Sequence, residues 1–386
     1  MKKAKTKPKI MKKIFWRWSD EKQTDFLDRE LLFLVLFLVA FGLVIVYSTS
    51  AYTGALSDRH DPALFLKRQG AFAVVGIVGM LVVSEMDYHI WKRASKLLIL
   101  FSLLALVYVL VKGVASHGAK RWIGVGSFQF QPSEVAKIAI IIYTAHKAQI
   151  NSSKLGNWKE MVKVAVLPFA CIILIAVENL STAIICSMIV LMILFVTSPR
   201  ILPFVVAIIS VAVAMVCFLF AESYRLDRID VWFHPEKYAN GKGYQTLQAL
   251  YAIGSGGVFG KGLGQSIQKL GFIPESHNDY VFSVICEELG LFGAACVIGI
   301  FLLLIWRCAV VALNAPDLFG ALVVIGVITH VAVQAGLNIA VVTKVAPPTG
   351  VPLPFISYGG TALLMLMGEM GLVLSVSRQL KIPKGY

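Results

Sequence analysis

The sequence predicts an all-α integral membrane protein, a polytopic bundle of about ten transmembrane helices with one large extracytoplasmic loop. Two observations carry this. Of 386 residues, 58% are apolar and only 15% charged, with a mean hydropathy of +0.76, a balance that suits lipid as the solvent rather than water. The apolar residues also fall into runs of about twenty, enough for a helix to cross about 30 Å of hydrocarbon.

In chain order the runs are 31–52, 69–86, 95–115, 133–150, 161–177, 181–197, 201–221, 280–306, 317–342 and 357–377. They divide the chain into a basic cytoplasmic tail (1–30), a transmembrane domain (31–377) with its large loop at 222–279, and a cytoplasmic tail (378–386). The first run is too long for a signal peptide and leads into another span, so it reads as an anchor helix. The fifth and sixth runs, parted by Glu178 and Asn179, also read as one broken helix, which would reverse the sidedness of everything after them.

Basic residues set the orientation, because Lys and Arg concentrate in cytoplasmic loops. With both termini inside, 22 Lys and Arg lie on the cytoplasmic side and 13 outside. The lysine run at the N-terminus, from Lys2 to Lys13, reads as a topology determinant or a contact for anionic lipid rather than as a nucleic-acid arm. The six cysteines show no CxxC spacing and fall in or near spans, which speaks against a disulfide framework or a zinc site.

Polar chemistry concentrates in two outer loops, at 116–132 and 222–279. The first holds Lys120, Arg121 and Trp122, a cluster suited either to a phosphate or to plain anchoring at the headgroup level. Pro132-Ser133-Glu134 fits a helix start. Glu134 and Lys137 share a helix face, as a structural ion pair or as part of a substrate path. In the second loop, a glycine run from Gly254 to Gly264 surrounds Lys261; it lets backbone N–H groups approach an anion, but it lacks the strand-helix context of a dinucleotide site.

Glu275, His277 and Asp279 directly precede an apolar helix that carries Glu287 and Glu288. An Asp at that boundary serves as a helix cap; alternatively the three converge in a cleft where a carboxylate takes a proton or holds a divalent cation. Residues 347–360, with Ser357 and four prolines, are too broken for a regular span and are expected to line a cavity. His330, Gln334 and Asn338, four apart, form a polar stripe on the preceding helix, suited to bonding between helices.

Taken in order, GAKRWI (118–123), FQPSE (130–134), AIGSGGVFGKGLGQSIQK (252–269), IPESHND (273–279), EELG (287–290) and TGVPLPFISYGG (349–360) resemble the SEDS family of shape, elongation, division and sporulation proteins along nearly the whole chain. Within it, Tyr224-Arg225-Leu226-Asp227-Arg228 and residues 262–269 are more similar to the FtsW branch, with the sporulation branch SpoVE close behind, than to RodA.

The resemblance implies a glycosyltransferase of the bacterial cytoplasmic membrane, enriched at the division septum, that polymerises lipid II with a class B penicillin-binding protein and other division proteins. It implies a catalytic role for Asp279. Lys120, Arg121, Glu134, Lys137, Lys261, Glu275, His277 and Ser357 are candidate substrate contacts, and a divalent cation, Mg2+ or Mn2+, is the cofactor considered, with Asp279 as its candidate ligand. One departure stands out: where the family reads Gln-Pro-Asp before a small-Thr pair, this chain has Val177-Glu178-Asn179-Leu180-Ser181-Thr182. Two other functions fit the sequence, a lipid II transporter and a non-catalytic division scaffold. The absence of a clear inverted repeat weighs against the transporter.

Overall fold

The computed structural model describes residues 27–116, 119–125, 128–202, 204–206, 209, 213, 230–241 and 243–380. The basic tail up to residue 26, most of the predicted span 201–221, the Tyr224–Arg228 motif and the last six residues lie outside them.

Ten α-helices longer than twelve residues are present among the described residues: α1 Arg29–Leu56, α2 Leu64–Glu85, α3 His89–Lys112, α4 Pro132–Ile150, α5 Trp158–Glu178, α6 Leu180–Thr197, α7 Tyr244–Gly256, α8 Val281–Leu313, α9 Leu318–Val342 and α10 Gly360–Arg378. All except α4 and α7 are long and apolar enough to cross a membrane, by length and composition alone. The nine spans that fall on described residues all coincide with helices. Helix starts follow local chemistry: Asp28 accepts from the Leu31 amide at 3.0 Å, and Asp317 accepts from Gly320 at 2.8 Å, each satisfying an orphan N–H of a first turn.

The α4 helix is the more polar because it carries Glu134, Lys137 and, in its last turn, Lys147, and its position explains how it bears the first two. It packs against α3, α5, α6 and α9, with Ile140, Ile141 and Ile142 fully buried. A helix sheathed by protein meets little lipid, so its charges need only find one another.

Glu178 and Asn179 do not sit within one broken helix. Asn179 ends α5 and caps α6, its side chain accepting from the Thr182 amide at 3.1 Å. At the far end the Ser198 hydroxyl donates to the Leu155 carbonyl at 3.2 Å, so α5 and α6 run antiparallel as a hairpin.

The loop between α3 and α4 folds as a three-stranded antiparallel sheet, β1 Val114–Ser116, β2 Ala119–Val125 and β3 Phe128–Phe130. The sheet, the α5–α6 tip and the loop from Gly257 to Tyr280 gather at one end of the bundle. Short connections and the termini of the described chain occupy the other, where Arg307 pairs with Asp28 at 2.8 Å and Glu30 at 2.7 Å.

Candidate active site

The segment Ile273–Tyr280 is pinned from four directions. Ser276 donates its hydroxyl to the Thr49 carbonyl of α1 at 3.1 Å. Gln245 of α7 donates to the Pro274 carbonyl at 2.8 Å. From the proline-rich segment, the Ser357 hydroxyl donates to the Asn278 carbonyl at 2.7 Å, and the Tyr358 amide donates to the His277 carbonyl at 2.9 Å. Asn338 of α9 completes the set, its amide donating to the Asp279 carbonyl at 2.7 Å and to the Val351 carbonyl at 2.8 Å.

Asp279 is thus held half-buried where the loop, α9 and the proline-rich segment meet. A Cβ on Gly350 would lie 3.2 Å from its Oδ2, so the missing side chain there makes room for the carboxylate. The N-cap position of α8 belongs to Tyr280 and makes no side-chain cap bond, so the capping role considered for Asp279 falls one residue out of place.

His277 is buried between aromatic rings, with Phe65 of α2 at 4.6 Å and Tyr358 at 5.6 Å between centroids, and its Nδ1 has no hydrogen-bond partner. Burial holds its pKa below the ordinary value of 6.5, partly opposed by Glu275. Folding therefore favours the neutral ring: the stability it contributes is complete above that value and is lost as pH falls toward the depressed one. Melting measured from about pH 7.5 to about pH 5.5 is expected to show a loss in the wild type that His277→Phe, which keeps the ring contacts, does not share.

A second polar group lies inside the bundle. Lys137 meets Glu134 at 2.9 Å and donates to Gln334 Oε1 at 3.3 Å. His330 lies 2.8 Å from the same Gln334 oxygen and 2.7 Å from Glu369 of α10. Gln334 donates in turn to the Pro352 carbonyl at 3.0 Å. The predicted polar stripe is therefore a junction: His330 reaches α10, Gln334 reaches α4, and Gln334 and Asn338 both hold the proline-rich segment, while all five side chains of the chain from Glu134 to Glu369 are buried. Glu369 was not picked out in the sequence, although a carboxylate in an apolar run is itself the signal.

The glycine run cradles α8 instead of opening a phosphate site. The Lys261 and Gly262 amides donate to the Glu287 and Glu288 carbonyls at 3.0 and 2.9 Å, and the Leu291 and Phe292 amides donate to Gly257 and Val258 at 2.9 and 3.0 Å. Both contact points need glycine. Gly260 and Gly290 have φ of 77° and 68°, and a Cβ on either would overlap the other strand's backbone.

Two ion pairs lock this seat. Lys261 meets Glu287 at 2.7 Å, and Lys269 meets Glu288 at 2.6 Å with Ser48 of α1 bridging them. Ser266 donates to Glu287 as well. The candidate phosphate contact Lys261 is thus committed to a carboxylate.

Of the remaining candidates, Arg121 donates Nε to the Glu178 carbonyl at 2.9 Å, fastening β2 to the hairpin tip. Lys120 pairs with Ala115 across the sheet. Glu275, with φ of 51°, accepts from the Asn278 side chain at 3.0 Å. The structure therefore gathers Glu275, His277, Asp279 and Ser357 at one place, puts Glu134 and Lys137 in the core beneath it, and sends Lys261 to a separate seat. No group of three or more His, Cys, Asp or Glu converges as a metal cage among the described residues.

A family model described as cell cycle protein, covering FtsW, RodA and SpoVE, matches residues 29–382. The chain belongs to this family. Among curated members of the FtsW/RodA/SpoVE family, it is 38% identical to a probable peptidoglycan glycosyltransferase FtsW of Trichlorobacter lovleyi, over 92% of this chain and 94% of that one. It is 37% identical to stage V sporulation protein E of Bacillus subtilis, over 91% and 97%. Among solved structures, a chain from a study of a peptidoglycan synthase complex that coordinates polymerization and crosslinking superposes with a TM-score of 0.76 at 28% identity, over 91% of this chain and 98% of that one. The rod shape determining protein RodA of Thermus thermophilus gives 0.68 at 27%, over 91% and 97%.

Proposed function

We propose that this protein is a peptidoglycan glycosyltransferase that polymerises lipid II into glycan strands on the outer face of the bacterial cytoplasmic membrane, during septal wall synthesis. The observation that carries the reading is the seat of Asp279, a carboxylate fixed through its own backbone where two irregular segments meet at the loop end of the bundle. Relatives named peptidoglycan glycosyltransferase that align over nine-tenths of the chain support the same reaction. The basic-residue bias supports the reading with both termini in the cytoplasm, which puts the Asp279 seat outside.

In the mechanism we infer, Asp279 accepts the proton of the acceptor sugar's 4-hydroxyl. The freed oxygen attacks the donor's anomeric carbon, and the bond to undecaprenyl pyrophosphate breaks. A general base serves only from within hydrogen-bond reach, and the Asn338 and Ser357 bonds supply that fixity. The activated donor provides the driving force. A divalent cation, were one bound, would be held by Asp279 on the protein side, and it would neutralise charge on the leaving group. Lys120 and Arg121, both on β2 at the same end, are the basic residues proposed to stabilise charge on that pyrophosphate.

Asn338→Ala removes both bonds at once. Misplacing a catalytic group by an ångström costs about a hundredfold, so kcat is expected to fall by about that factor with KM little changed; a KM-only effect would assign Asn338 to substrate binding. The proposed partner is a class B penicillin-binding protein, docking through its transmembrane helix and stalk, with other division proteins around the pair.

The test is polymerisation of labelled lipid II by the protein purified together with that partner. Glycan strands are expected. No product from a well-assembled complex would shift the assignment to a transporter or a scaffold.

A further inference from the structure

The loop that follows α7 has its polarity inside out. Two of its polar side chains turn inward, Ser266 and Lys269 being buried on Glu287 and Glu288, while Lys261 is partly exposed but held by Glu287 and Gln265 stays outside. Its apolar side chains turn outward, with Phe259 81%, Val258 58%, Ile267 53% and Leu263 51% exposed. In water this arrangement loses on both counts, since apolar surface stays hydrated while charges are desolvated. In hydrocarbon it is the favoured one.

Depth agrees with polarity. The cytoplasmic end of α8 is marked by Trp306 and by Arg307, paired with Asp28 and Glu30. α8 is regular from Leu291 to Arg307 and breaks at Gly290, whose φ is 68°. Val258 is bonded to Phe292, fifteen residues or about 22 Å from Arg307 along that helix and so about 8 Å inside the outer edge of a hydrocarbon core about 30 Å thick. Leu291 and Phe292 themselves face outward from the bundle, and the loop's apolar surface continues theirs.

We propose that the loop is a lipid-embedded element, with Val258, Phe259, Leu263, Ile267, Leu270 and Phe272 seated in the acyl region of the outer leaflet. Three features on the loop serve this placement. Its two lysines are neutralised by the α8 carboxylates; its glycines let it lie flush on the helix; and four of its backbone bonds are made to α8 rather than to water, as hydrocarbon demands. The inference concerns the surface alone and does not depend on the catalytic assignment. Its consequence for that assignment is that Asp279, seven residues beyond Phe272, is tethered at headgroup level, where the pyrophosphate of a lipid-linked sugar lies.

The test uses Phe259→Trp in the full chain, reconstituted in phosphatidylethanolamine and phosphatidylglycerol vesicles whose acyl chains carry bromine, with the parent protein as the subtracted background. A tryptophan replacing an outward-facing phenylalanine leaves the core untouched, and Leu263→Trp provides a second reporter. The added emission is expected to be lost in brominated vesicles and to persist with iodide on both sides of the membrane. Emission quenched by iodide but not by bromine would place the loop in water, and emission shielded from both would place it under protein; either result overturns the proposal.

Discussion

Lys137→Met is expected to destabilise the bundle by about 3–5 kcal/mol, the cost typical of breaking a buried pair by removing one partner. Lys137 and Glu134 are 2% and 7% exposed, so neither charge has water to fall back on. Without the ammonium, the Glu134 carboxylate is left uncompensated, and Gln334 loses one of the two donors around its oxygen. Because Gln334 also holds the Pro352 carbonyl, the damage should reach the proline-rich segment that seats Asp279. Thermal unfolding of the purified protein measures the loss. The double variant Glu134→Gln/Lys137→Met should recover much of it, since replacing a whole buried pair is often nearly neutral. A single variant as stable as the wild type would mean that the pair carries no structural weight.

The membrane class and the span positions were legible because hydrocarbon imposes a length and a composition on every crossing segment, independent of what packs beside it. The sidedness of the α5–α6 pair was not. Two residues, Glu178 and Asn179, suit either a kink or a tip, and only the long-range bond from Ser198 to Leu155 decides between them. The sheet at 114–130 was missed for a similar reason. Its strands are three to seven residues long, too short for alternation to stand out beside the neighbouring spans.

The candidate site divides along the same line. Glu275, His277 and Asp279 lie within five residues, so their proximity was local. The prolines announced irregular backbone that had to be bonded somewhere, but not that Ser357 and Tyr358 would bond to Asn278 and His277. The pairing of Lys261 with Glu287 spans 26 residues and Ser48 with Glu288 spans 240; no spacing rule foretells these. A lysine in a glycine run looked like a ligand for phosphate because the carboxylate that claims it could not be seen in sequence.

Asp279→Asn is the second large effect, and it separates chemistry from architecture. The bond from Asn338 goes to the Asp279 main-chain carbonyl, so the substitution leaves that anchor intact. The asparagine amide is close to the carboxylate in size and suits the space beside Gly350. What it loses is the ability to take a proton, and general-base assistance alone is worth about 10²–10⁴-fold. A scaffold has no need of that proton acceptor, whereas a polymerase built as proposed is slowed by that factor without it.

The most direct measurement is therefore lipid II polymerisation by wild type and Asp279→Asn, each purified with the proposed penicillin-binding partner and matched for complex yield. Glycan strands from the wild type with none from the variant are the expected result; equal strand formation by both would contradict the assignment of Asp279 to the reaction.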